Sequence, residues 1–91
     1  MNYDTMLASL KVDLGITTTA YDNRLTEYLK RAEAEIEREG VRLLASSLAD
    51  QNLVIAYAAH MWRKRDTGEG IPRMIRWQIN NRLFGQDEES E

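Results

Sequence analysis

The chain has 91 residues, 12 Lys and Arg against 15 Asp and Glu, a net charge of −3 and no cysteine. That length makes one small domain, and the composition excludes disulfides, a thiolate metal site and, with a single His, an ordinary zinc site. No apolar run approaches the roughly 18–20 residues of a membrane span, and the opening MNYDTML lacks the regions of a secretory leader, so a soluble protein made inside a cell, with no membrane partner, is expected.

The pattern predicts an all-α fold: a small single domain over residues 1–85 with helices at about 4–14, 20–39, 50–65 and 72–84. In the first, Tyr3, Leu7, Leu10 and Leu14 recur at helical spacing, Asp4 is the expected N-cap and Gly15 the stop. The β-branched run Ile16-Thr17-Thr18-Thr19 disfavours helix. Thr19 with Asp22 resembles a capping box and opens the second helix. Its apolar stripe is Tyr21, Leu25, Tyr28, Leu29, Ala32 and Ile36, with Glu27–Arg31 and Arg31–Glu35 as four-residue ion pairs on the outer side. Gly40 is expected to close it in the left-handed conformation, with Val41 folded back toward Ile36.

Asp50 is the expected N-cap of the third helix. Leu53, Val54, Tyr57, Ala58, Met61 and Trp62 form its main stripe, and Ile55, Ala56 and Ala59 make it apolar nearly all round. A helix apolar on every side lies in a large core or at an interface. A chain this short has no large core, which points to a subunit interface. Asp66 to Gly70 reads as a loop, and Pro72 sits at a natural first helical position. In the fourth helix Ile75, Ile79 and Leu83 share a face with Met74, Trp77 and Phe84 beside them, and Gly85 is the stop. The tail, residues 86–91, is acidic and without apolar side chains, and is expected to be disordered.

No catalytic constellation emerges, and no enzyme is expected. Ser46-Ser47-Leu48-Ala49-Asp50 reads as turn and cap chemistry rather than a nucleophile elbow. Gly68-Glu69-Gly70 lacks the Lys-Ser/Thr of a phosphate loop. His60 reads as a structural or interface histidine. Glu33, Glu35, Glu37 and Glu39 read as a solvated helix face, or as an acidic lining once subunits assemble. Neither a metal nor another cofactor is called for.

Charge is segregated. Met61 to Phe84 holds six Lys and Arg residues (Arg63, Lys64, Arg65, Arg73, Arg76 and Arg82) and both tryptophans, Trp62 and Trp77. The arginines could grip phosphates, and Arg76, Gln78, Asn80 and Asn81 could read base edges. Net acidity argues against that, because non-specific phosphate attraction normally supplies much of the affinity. Both tryptophans read as packed anchors.

In its order of features the chain resembles the small head–tail connector, or head-completion, proteins of tailed bacteriophages and prophages. The first half carries a leucine-rich helix, a turn and a long charged helix: Met6-Leu7-Ala8-Ser9-Leu10-Lys11-Val12-Asp13-Leu14-Gly15, then Tyr21-Asp22-Asn23-Arg24-Leu25 to Glu39-Gly40. The second half carries the more specific match. It comprises Leu53-Val54-Ile55-Ala56-Tyr57-Ala58-Ala59, Met61-Trp62-Arg63-Lys64-Arg65, Pro72-Arg73-Met74-Ile75-Arg76 and Asn80-Asn81-Arg82-Leu83-Phe84.

The resemblance implies a structural virion protein, made in the bacterial cytoplasm and located at the portal vertex. It implies a ring of about a dozen copies beneath the portal, built from two different faces of each subunit. The ring would join head to tail, extend the DNA channel, and contact portal protein and a tail-completion protein. DNA would pass without sequence-specific contact. Tyr57, Met61, Trp62, Arg63, Lys64, Arg65, Arg73, Arg76, Trp77 and Arg82 are the expected subunit or portal contacts. Glu33, Glu35, Glu37 and Glu39 are the expected acidic channel or neighbour-facing surface. The alternative is a small helical DNA-binding or DNA-packaging accessory protein that uses the basic fourth helix.

Overall fold

The computed structural model describes residues 1–68 and 70–89, and side chains as far as Gln86. It contains four helices, α1 (Tyr3–Leu14), α2 (Asp22–Arg38), α3 (Leu48–Arg63) and α4 (Arg73–Glu89), and no strand among the described residues. The expected all-α architecture is the one observed.

Helix α3 is the centre of the fold. It packs most extensively on α2, then on α1, and least on α4. Val54 and Ala58 are fully buried, and Leu53, Ile55, Tyr57 and Ala59 nearly so. Its apolar girth is therefore covered by the other three helices of the same chain. That burial accounts for most of the girth without a subunit contact, while Leu48 stays 69% exposed and Ala56, Met61 and Trp62 are only partly buried.

The stripe on α2 is the expected one, with Leu25, Tyr28, Leu29, Ala32 and Ile36 buried. Tyr21 departs from it and stays half exposed. On α1 the deepest residues are Met6 and Leu10; Tyr3, Leu7 and Leu14 pack against the core from its edge. Full burial of side chains such as Leu10, Leu25, Leu29 and Ile36 contributes about 1.5–3 kcal/mol each.

Several caps differ from expectation. Asn2, not Asp4, caps α1, its side chain accepting from the Thr5 amide. Tyr21 occupies the N-cap of α2 without a side-chain bond; Thr19 contributes only its carbonyl, to the Asp22 amide. The outer face differs too: Arg31 lies over the Tyr28 ring and Glu35 pairs with Arg38 at 3.1 Å. Ser47 caps α3 by accepting from the Asp50 amide, which releases Asp50 for another role. Gly15 and Gly40 end their helices with positive φ as expected, and Val41 is buried beyond Gly40.

The loop after α3 turns on Lys64, whose carbonyl accepts from Thr67 and Gly68. His60 pins its far end: its Nε2–H donates to the Gly70 carbonyl at 2.9 Å. Helix α4 runs through Gly85 to Glu89 rather than stopping at Gly85. Gln86, assigned to the disordered tail by sequence, is anchored: it accepts from the Arg42 amide at 2.7 Å and donates to the Gly40 carbonyl at 3.0 Å. The expected disorder falls otherwise on side chains 87–89 and on residues 90 and 91, which lie outside the described set.

Candidate functional site

The expected contact residues separate into two groups. The first group is engaged within the chain. Tyr57 is buried among its own helices, which raises its phenol above the ordinary value, chiefly by desolvation. Trp62 stands edge-on to Tyr21 and Tyr28, with ring centroids 5.5 and 5.8 Å away. The Arg65 guanidinium lies 4.1 Å over the Trp62 ring and donates to the Trp62 carbonyl. Trp62 is thus an anchor between α2 and the end of α3, a contact geometry aromatic rings favour. Met61 packs partly buried against the same core.

Four further cations also find partners at home. Arg63 donates to the Asp13 carbonyl at 3.1 Å, tying α3 to α1. Arg76 pairs with Glu39 at 2.8 Å. Arg82 pairs with Asp50, Nε to Oδ1, at 2.9 Å and also donates to the Arg42 carbonyl at 2.8 Å. Lys64 is partly buried, and its carbonyl accepts from the Thr67 and Gly68 amides.

The acidic row does not act as a unit. Glu33 accepts a 2.6 Å bond from the Tyr3 hydroxyl. That bond, burial and the nearby Glu33 and Glu37 charges push the Tyr3 phenol up to about 12. Glu35 pairs with Arg38, Glu39 pairs with Arg76, and Glu37 is exposed. No group of three His, Cys, Asp or Glu side chains among the described residues is arranged to hold a metal ion.

The second group faces outward. Sequence spacing placed Met74, Trp77 and Phe84 beside Ile75, Ile79 and Leu83. The structure places them on the opposite side of α4. Ile75 and Ile79 are buried against α3, whereas Met74, Trp77 and Phe84 are 66%, 59% and 68% exposed. A helix turns about 100° per residue, so positions 74, 77, 81 and 84 form one stripe and 75, 79, 82, 83 and 86 the other. Asn81 sits exposed between Trp77 and Phe84 on the outward stripe, and Arg73 and Gln78 flank it.

Beside this stripe a groove of about 630 Å³ runs between α3 and α4, lined by Ala49, Asn52, Leu53, Ala56, Trp77 and Asn81 among others. Leu48, 69% exposed, stands at the start of α3. Sequence reasoning missed Leu48, Met74 and Phe84 as surface residues. The signal available was the 3-4-3 spacing of 74, 77, 81 and 84, which a second apolar face on α4 requires.

A scan against protein-family models finds no match, and comparisons with curated proteins and with solved structures find no significant similarity.

Proposed function

We propose that this chain is a structural assembly module of the head–tail connector kind, one subunit of a ring that docks beneath a phage portal. The observation that carries this reading is the outward stripe of α4. Large apolar side chains standing together on a helix face mark a protein contact more often than a free surface. Met74, Trp77 and Phe84 are such a set, and Leu48 extends the exposed apolar surface on α3. The second-half resemblance, from Leu53 to Phe84, runs through this same part of the chain.

The contact surface differs from the one read off the sequence. Tyr57 and Trp62 are taken up by the subunit's own packing. The portal- or neighbour-facing role therefore falls to α4, with Trp77 at its centre and Arg73 at its edge. The DNA-accessory alternative draws less support: Arg76 and Arg82 turn toward Glu39 and Asp50 of their own subunit, leaving an apolar stripe where phosphate contacts would be needed.

Absolute mass by light scattering across a wide concentration range, at low and high salt, tests the reading, with electron microscopy of the largest species. Closed rings of uniform diameter that persist in salt are the expected outcome, on the chain alone or with portal protein added. Absence of rings in both preparations, together with duplex DNA binding that weakens steeply with salt, would sink it.

A further inference from the structure

We propose that a second copy of this chain covers the outward face of α4, and that the two α4 helices pair antiparallel about a two-fold axis. The argument starts from register. Met74, Trp77, Asn81 and Phe84 follow the 3-4-3 spacing of alternating a and d positions in a heptad, the seam by which one helix packs into another. All four are exposed, and the core-facing residues Ile75 and Ile79 occupy the other side of the helix. The seam is therefore free to meet a partner without disturbing the subunit.

The seam's chemistry selects a helix like itself. One polar residue, Asn81, interrupts an otherwise apolar a/d row, a feature that sets register and oligomer state in paired helices. In an antiparallel pair, Trp77 of one copy lies opposite Asn81 of the other, twice, and Met74 lies opposite Phe84. Each large indole then faces a small amide, and its N–H reaches an acceptor that the desolvated seam would otherwise leave unpaired. A parallel pair would stack Trp77 on Trp77. Antiparallel pairing also opposes the two helix dipoles, which a parallel pair would align.

The area sets the strength. Three aromatic or long side chains about two-thirds exposed offer roughly 400 Å² per copy, so two copies bury about 800 Å², short of the roughly 1,200 Å² at which stable interfaces begin. The pair is a weak, concentration-dependent dimer. It is isologous and closed, so it adds no ring. It stands independently of the connector reading; where that reading holds, the pair keeps the assembly face covered until a stronger partner displaces it.

Sedimentation equilibrium and cysteine cross-linking test the pair on the whole chain, which has no native cysteine. The wild type should show a monomer–dimer equilibrium that Trp77→Ala weakens by about tenfold or more, as loss of a central aromatic anchor does. Circular dichroism should report an intact fold in that variant, because Trp77 is 59% exposed. Met74→Cys and Phe84→Cys chains, when mixed, should link to each other on oxidation. Met74→Cys alone should not link, because ten residues along a helix separate the two copies' cysteines by about 15 Å. A monomer at every concentration, a dimer indifferent to Trp77→Ala, or Met74→Cys linking to itself overturns the pairing. A ring without any intermediate dimer overturns it too, while leaving the connector reading in place.

Discussion

Arg82 and Asp50 lock α4 to the start of α3. The guanidinium Nε lies 2.9 Å from Asp50 Oδ1, and the other carboxylate oxygen accepts from the Leu44 amide at 2.9 Å. Asp50 is only 2% exposed, whereas the Arg82 side chain keeps 20% of its surface in solvent. The same arginine holds the Arg42 carbonyl. One ion pair therefore joins α4, α3 and the segment between α2 and α3.

That difference in exposure makes the pair unequal under mutation. Arg82→Met leaves a buried carboxylate without its cation and should cost about 3 kcal/mol. Asp50→Asn keeps an acceptor for Leu44, and the arginine can lean toward water, so the cost should be about 1–2 kcal/mol. Urea denaturation of both single variants and the double variant checks this. The double variant should lose less than the two singles together; an Asp50→Asn chain less stable than Arg82→Met would contradict the account.

The two tryptophans should behave oppositely. Trp62→Ala removes an anchor packed against Tyr21, Tyr28 and Arg65, and should destabilise the fold by about 2–4 kcal/mol. Trp77→Ala should change dilute-monomer stability by no more than about 0.5 kcal/mol. Thermal and urea unfolding at low concentration separate the two, and equal losses would show that Trp77 is packed within the subunit after all.

Tyr3 gives the fold a dependence on alkaline pH. Its phenol is raised from an ordinary 10.0 to about 12, chiefly by the bond to Glu33. The unfolded chain therefore releases this proton first as pH rises. Stability from the bond is complete below about pH 10 and drains away between about pH 10 and 12. Tyr3→Phe should lower stability by about 1 kcal/mol at neutral pH and should lose less than the wild type across that alkaline window. Denaturation curves for both chains at several pH values provide the check.

Two glycines should respond to alanine with opposite signs. Gly40 has φ 106°, and an added Cβ would sit 3.4 Å from Leu83 Cδ2, so Gly40→Ala should cost about 1–2 kcal/mol. Gly85 lies inside α4, with nothing within 4 Å of an added Cβ. Gly85→Ala should therefore stabilise the chain by roughly 0.5–1 kcal/mol. Melting temperatures of the two variants test both signs at once.

Helix number and order were legible because apolar spacing in α2, and the glycines at 15 and 40, state the local rule plainly. Caps were less legible. Asp50 and Ser47 both suit an N-cap, and the choice turned on a tertiary demand: Arg82, thirty-two residues away, needed a buried carboxylate. The apolar girth of α3 points to a helix in need of cover, and most of that cover lies in the same chain. On α4, Met74 and Ile75 are neighbours in sequence and look alike to any tally of apolar residues. Only the angle between them, fixed once Ile75 meets α3, sends one inward and the other out. Gly85 was read as a stop, but Gln86 binds the Gly40 carbonyl and Arg42 amide and holds the helix together beyond it.

The segment from Gly40 to Leu44 belongs to no helix, yet three of its backbone groups, the Gly40 carbonyl and the Arg42 amide and carbonyl, are matched by side chains 40 to 46 residues further along the chain. Such distant closures come late in folding. A chain leaving the ribosome can gather α1, α2 and α3 while the Arg42 amide still faces water; only the arrival of Gln86 protects it. An undocking of α4 that leaves the three-helix core intact should therefore expose that amide while the core amides stay protected. The exchange rate of the Arg42 amide proton is thus a clock for the docking and departure of a helix to which Arg42 does not belong.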